Sequence, residues 1–234
     1  NLINEYFLLF PIFLLLIISF FTKINIGIRH LIPIYPFIFV FVGRAVNLRV
    51  KKQKILAMFL GVLCVWYALS SISIYPDSLA YFNELVGGPK NGPKYLLDSN
   101  IDWGQDLKGL KDYLDKNNIE EIRLGYWGKD KPEYRGIKYT QINCYPEKGL
   151  AVVSVNNLYG ISKEREECLS WLRKYIPIAN IGYSILIYNI TDKIDIKKEQ
   201  EDFCFKQCKR LCLINNAYLA KGIYINGSCE CECK

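Results

Sequence analysis

Apolar residues crowd the first third of the chain and then thin into short alternating runs. Ile55–Ile74 is a stretch of 20 residues without a charge. At ~1.5 Å of rise per residue, such a helix covers roughly the 30 Å hydrocarbon core of a bilayer. Two less complete runs precede it. Tyr6–Phe21 is uncharged, holds Pro11 and is lengthened by Leu2, Ile3 and Thr22. Leu31–Val42 carries Pro33 and Pro36 and reaches span length only if it continues through Leu48, with Arg44 snorkelling to the interface. The pattern predicts about three transmembrane helices, at 3–22, 31–48 and 55–74. Arg44, Arg49, Lys51, Lys52 and Lys54 collar the start of the last one, and short basic loops stay cytoplasmic. That helix is expected to run from inside to outside. Lys23–His30 then becomes an external loop of an integral plasma-membrane protein, and everything from about Pro76 to Lys234 becomes extracytoplasmic.

Beyond the membrane, in a domain expected over 76–192, the period shortens. Ser78–Val86 reads as a helix stopped by Gly87, Gly88 and Pro89, and Tyr95–Asp98 as a short strand. Leu107, Leu110, Tyr113 and Leu114 lie at helical spacing, with Asp102 or Asp106 as N-cap and Asn117 near the stop. Glu121–Trp127, Leu150–Val155 and Tyr183–Ile190 are β-rich, and Lys163–Tyr175 is an amphipathic helix. Strands alternating with helices predict a small α/β domain with a parallel or mixed sheet.

After Asp192 the composition turns to Lys, Glu and Asp, and a cysteine-rich αβ tail over 193–234 follows. Cys204, Cys208 and Cys212 recur every fourth residue, one stripe of a helix; Cys229, Cys231 and Cys233 recur every second, one face of a strand. Gly222–Ile225 reads as a strand entering a hairpin turn at Asn226-Gly227. Six cysteines admit many pairings. If helix and last strand run parallel, geometry selects Cys204–Cys229, Cys208–Cys231 and Cys212–Cys233. A thiolate zinc site is the alternative, but the paired CxxC knuckles of such sites are missing. Dense cysteines suit an oxidising compartment, as do the sequons Asn189-Ile190-Thr191 and Asn226-Gly227-Ser228. Cys144 and Cys168 can form a further bridge, and Cys64 is expected to be inert within the membrane. In its CxxxC and CxC halves the tail resembles the cystine-stabilised αβ motif of defensins and scorpion toxins, which speaks to scaffold and not activity.

Charge changes the picture little. The net charge of +7 comes largely from the cytoplasmic collar and the tail lysines, and no arginine-aromatic stripe for stacking bases is visible, so no nucleic-acid partner is expected. The chain starts at Asn1 without a methionine or a signal-peptide pattern, and an N-terminal part of a longer protein is expected before it.

The most distinctive soluble stretch is Tyr81–Leu107, YFNELVGGPKNGPKYLLDSNIDWGQDL. Its glycines are followed by Pro93 rather than Lys-Ser/Thr, which excludes a phosphate-binding P-loop. Asp98, Asn100, Asp102, Trp103, Gln105 and Asp106 follow an expected strand and open a helix, where α/β sheets bind ligands. Carboxylates and amides beside a tryptophan can hydrogen-bond and stack a sugar. The plainer account gives Asp102 and Asp106 to capping, Asn100 to the turn and Trp103 to packing. Arg29 and His30 head the second apolar run; an arginine there can clamp a lipid phosphate or anchor at the interface. His30 is the only histidine, which removes histidine-rich metal sites, and no complete catalytic constellation is present. A free-standing hydrolase lacks any G-x-S-x-G or Cys-His pairing.

Gly27–Phe37 (GIRHLIPIYPF) resembles the external-loop-to-helix motif of polytopic glycosyltransferases that use lipid-phosphate sugars, the protein O-mannosyltransferase and aminoarabinose-transferase-like superfamily with the GT-C fold. Tyr81–Leu107 resembles the segment after the last membrane helix in a prokaryotic branch of that group. The likeness continues through Gly125-Tyr126-Trp127, Pro132–Ile137 and Ile181–Ile185, covering roughly residues 25–190 and not the cysteine tail. The resemblance implies transfer of a sugar from a polyprenyl-phosphate carrier to a protein, lipid or glycan acceptor at the outer membrane face. Arg29 and His30 would take donor phosphate, and the Asp98–Asp106 stretch would contact acceptor or sugar. The general base of such enzymes lies in an early external loop, which this chain does not contain, so the chain alone is expected to be inactive. No cofactor is expected in this chain; the resemblance leaves a divalent metal in the full enzyme open. A rival reading from another class is a membrane-anchored extracellular binding module with the tail as a stable cap.

Overall fold

The computed structural model describes residues 2–21, 27–45, 53–160, 162–191, 196–215, 217, 219–225 and 228–233. The chain divides into two compact units, Asn1–Asn100 and Ile101–Lys234.

The first unit is helical. α1 (Leu2–Phe21) accommodates Pro11 without a break, and α3 (Gln53–Ile74) is the long apolar helix read from the sequence. Of the three expected spans, only this last one, Lys54–Ile74, is long and apolar enough to cross a bilayer among the described residues. The apolar part of α1 is Leu9–Phe21, and that of the second run is Leu31–Gly43. The expected helix over 31–48 is corrected in form. Gly27–Ile34 winds as a 3-10 helix, and α2 (Tyr35–Ala45) begins where Pro36 falls in its first turn, the position at which a missing N–H costs nothing. Residues 23–26 of the expected external loop, and most of the basic collar, lie outside the described residues.

Two local readings after α3 are also corrected. Ser78–Val86 forms two 3-10 turns, Ser78–Ala80 and Glu84–Val86, because Asn83 is extended and its side chain caps the second turn. Tyr95–Asp98 is no strand: it follows the 3-10 helix Pro89–Lys94 and enters the turn Asp98–Asn100.

The second unit contains a five-stranded mixed sheet ordered β2-β1-β3-β5-β4, from β1 (Glu121–Gly125), β2 (Lys138–Gln141), β3 (Gly149–Ser154), β4 (Ala179–Ile181) and β5 (Ile185–Ile190). β1 runs parallel to β2 and β3, and β5 runs antiparallel to β3 and β4. Alternation along each strand feeds both faces. Ile122, Leu124, Val152, Ile185 and Ile187 meet Leu107, Leu110 and Leu114 of α4 (Leu107–Lys116). Gly125 and Val153 face the other way, toward Ile142 and Leu169. That side is closed by α5 (Val155–Tyr159) and α6 (Lys163–Leu169), and the remainder of the expected Lys163–Tyr175 helix tightens to 3-10 over Ser170–Lys174. Cys144–Cys168 ties α6 to the loop before β3.

In the tail, α7 (Ile196–Ile214) lies against the hairpin β6 (Leu219–Ile225) and β7 (Ser228–Cys233). The bridges are Cys204–Cys229, Cys208–Cys231 and Cys212–Cys233. This is the parallel ladder read from spacing, and it displaces the zinc alternative. Cys64 is exposed on α3. Asn189 and Thr191 are both exposed, as a sequon requires; the turn at Asn226-Gly227 lies outside the described residues.

Candidate functional site

Arg29 sits in the 3-10 helix Gly27–Ile34, and its guanidinium donates to the Ser99 carbonyl in the turn Asp98–Asn100. Two stretches 70 residues apart in sequence are joined there, inside the first unit. Asp98 holds a φ of 59°, a left-handed conformation that aspartate tolerates better than most residues. The Asn100 amide donates to Leu97 O at 2.9 Å, the turn-making role. His30 belongs to the same 3-10 helix as Arg29; its side chain lies outside the described residues.

Asp102, Trp103, Gln105 and Asp106 belong to the second unit and form the loop that opens α4. Asp102 is fully buried. Its Oδ1 accepts from Gly104 N at 2.7 Å, an Asx turn, while its Oδ2 has no hydrogen-bond partner among the described residues. Burial pushes its carboxyl from 3.8 up to about 7, helped by the Asp106 charge and opposed by the Gly104 amide and the Ser154 hydroxyl. Asp106 stands at the N-cap of α4 without capping it. Its Oδ2 accepts from Ser184 Oγ at 2.5 Å and from Gln105 Nε2 at 2.9 Å instead. Gln105 is fully engaged by the loop, accepting from Trp103 N at 2.8 Å and donating to Ile101 O at 3.1 Å. Trp103 leaves 59% of its surface exposed.

Besides Ser184, which precedes β5, the partners of this loop come from the carboxyl ends of two parallel strands. After β1, Tyr126 Oη donates to Gly104 O at 2.9 Å; burial first, then the charges of Asp102 and Asp130, push that phenol up to about 12. At the end of β3, Ser154 Oγ accepts from Trp127 N at 3.0 Å, and Asn156 Nδ2 donates to Asp102 O at 3.3 Å. The loop therefore does lie over the carboxyl edge of an α/β sheet, the general place for ligands, although the strand is β1 and not the 95–98 segment. Sequence reading missed Tyr126, Ser154, Asn156 and Ser184 as site residues. A run of buried Ser and Asn directly after the apolar strand Leu150–Val153 is the signal that could have found two of them.

The arrangement presents Trp103 on a tightly tied frame; its carboxylates serve the frame. Gly104 is the tightest point. It takes a φ of +81°, and a Cβ there would lie 2.1 Å from Tyr126 Oη and 2.9 Å from Gly128 Cα. Gly104→Ala is expected to cost about 2 kcal/mol or more, seen as a lowered Tm and as loss of protection at the Gly104 amide in hydrogen exchange. An unchanged Tm would show that the loop does not close on Tyr126.

Among the described residues no group of three His, Cys, Asp or Glu side chains could hold a metal ion. No protein-family model, no curated protein and no solved structure matches the chain.

Proposed function

We propose that this chain is the C-terminal portion of an integral-membrane glycosyltransferase that moves a sugar from a lipid-phosphate carrier to an acceptor on the extracytoplasmic face. The observation that carries the reading is the meeting of the stretches that bear the resemblance. Gly27–Phe37 joins Tyr81–Leu107 through Arg29 and Ser99. Within the second unit, Gly125–Trp127 and Ile181–Ile185 join that same stretch through Tyr126 with Gly104 and Ser184 with Asp106. Motifs scattered over the sequence are thus structural neighbours within each unit.

In this reading Arg29 binds the departing lipid phosphate, for which a guanidinium supplies both charge and a planar fork of donors. His30 lies beside it in the chain, and Trp103 offers an aromatic face to a sugar. The base that takes the acceptor proton is not assigned to a residue of this chain. No cofactor is assigned either.

The test is donor turnover by the complete protein in proteoliposomes, read as polyprenyl phosphate released from a labelled polyprenyl-phosphate hexose. Arg29→Ala is expected to raise the KM for donor about tenfold or more, with Arg29→Lys intermediate. Turnover unchanged by Arg29→Ala, or absent from the complete protein, would instead favour a membrane-anchored binding module. The internal satisfaction of Asp106 and Gln105 is the feature that suits that second reading.

A further inference from the structure

Ser70 stands one helical turn before the end of α3 at Ile74, about 6 Å back along the axis at 1.5 Å per residue. Its Oγ donates to Glu84 Oε1 at 2.6 Å. The chain leaving α3 therefore reverses, and the turn Glu84–Val86 lies alongside the helix below its end.

The tip of that reversal has two unusual properties. Its N–H groups from 85 to 88 are satisfied from within: the Asn83 side chain accepts from Leu85 N at 3.1 Å and Val86 N at 3.3 Å, Gly87 N donates to Glu84 O, and Gly88 N donates to Asn83 O. And the side chain it carries outward is Leu85, 87% exposed. An exposed leucine on a turn whose N–H groups from 85 to 88 are all paired internally, held beside a helix of bilayer length, suits an apolar medium. Tyr75 and Tyr81, both exposed at the mouth of the reversal, are the residue type enriched where bilayer meets water.

We propose that Asn83–Gly88 is a re-entrant membrane anchor, with Leu85 inserted into the outer boundary between lipid headgroups and acyl chains. The inference rests on reading α3 as a membrane span. Ser70 gives the Glu84 carboxylate the kind of hydrogen-bond partner that a charged group needs at that depth.

The experiment is nitroxide accessibility by EPR, using the full chain in phosphatidylcholine–phosphatidylglycerol nanodiscs. One label goes on the native thiol Cys64, free on α3. A second goes on Leu85→Cys, and a third on Asp112→Cys at an exposed position of α4, both in a Cys64→Ser background. At positions 64 and 85 the collision rate with oxygen, relative to that with a water-soluble nickel chelate, is expected to be severalfold higher than at 112. If 64 is immersed and 85 behaves like 112, the anchor is overturned while the span stands. If 64 also behaves like 112, the span fails and takes the anchor with it.

Discussion

Asp102→Asn is expected to stabilise the chain at pH 8 by up to about 4 kcal/mol and to change it little at pH 3. The folded chain holds the Asp102 proton up to about 7, because the carboxyl is buried, whereas the unfolded chain releases it near 3.8. Between those values folding takes up a proton, so stability falls as pH rises, by up to ~1.4 kcal/mol per pH unit. The contribution is fully present below 3.8 and fully lost above about 7. Asparagine keeps an acceptor for Gly104 N and carries no charge, so it mimics the protonated side chain. Thermal melts of wild type and variant across this range decide the matter. Two curves that stay parallel would mean that Asp102 is ionised and solvated in the folded chain.

Removing the cystine ladder has the other large effect. Cys204, Cys208 and Cys212 are the fully buried hydrophobic side chains of the tail among the described residues, while Phe205, Leu211, Leu213 and Ile214 are exposed. A module this small cannot bury enough apolar surface to fold on its own. The bridges close sequence separations of 25, 23 and 21, each worth about 3 kcal/mol. Reduction, or replacement of all six residues by serine, is expected to unfold α7, β6 and β7. In the serine variant, which keeps Cys144–Cys168, hydrogen exchange in β1, β3 and β5 should be untouched, since the tail shares no disulfide with the sheet. A zinc chelator without reductant should do nothing. Protection in β6 and β7 that survives reduction would show that the tail has a core beyond its cystines.

What was legible in the sequence was whatever depends on local spacing. The apolar length of α3, the leucine stripe of α4 and the two cysteine periods each identify an element from a few neighbouring residues, and the ladder follows from combining two of them. β2 and β4 were not legible. Lys138–Gln141 is mostly exposed at a sheet edge, and Ala179–Ile181 has only three residues, so neither shows the alternation of a half-buried strand. The readings at Ser78–Val86 and Tyr95–Asp98 failed through competition between local rules: apolar content favoured regular elements, while Asn83, Gly87, Gly92 and Pro93 favoured turns. At the candidate site, the loop Asp102–Asp106 was visible because it is contiguous. Its partners Tyr126, Ser154, Asn156 and Ser184 arrive from three other segments, and only the fold of the sheet brings them together. The burial that raises the Asp102 pKa belongs to that tertiary arrangement and leaves no mark on the residues around it in the chain.

The ladder also works as a vernier between two rulers. Four residues of helix advance about 6.0 Å and two residues of strand about 6.6 Å, so each successive rung falls out of step by roughly half an ångström. Over three rungs the drift is small, and the bridged Cα atoms keep nearly constant separations of 5.3, 5.2 and 5.5 Å. Further rungs at the same spacing would accumulate mismatch until the two scales no longer met. The repeat that builds this module therefore also sets its length, and lengthening it would require a changed period in one of the two elements.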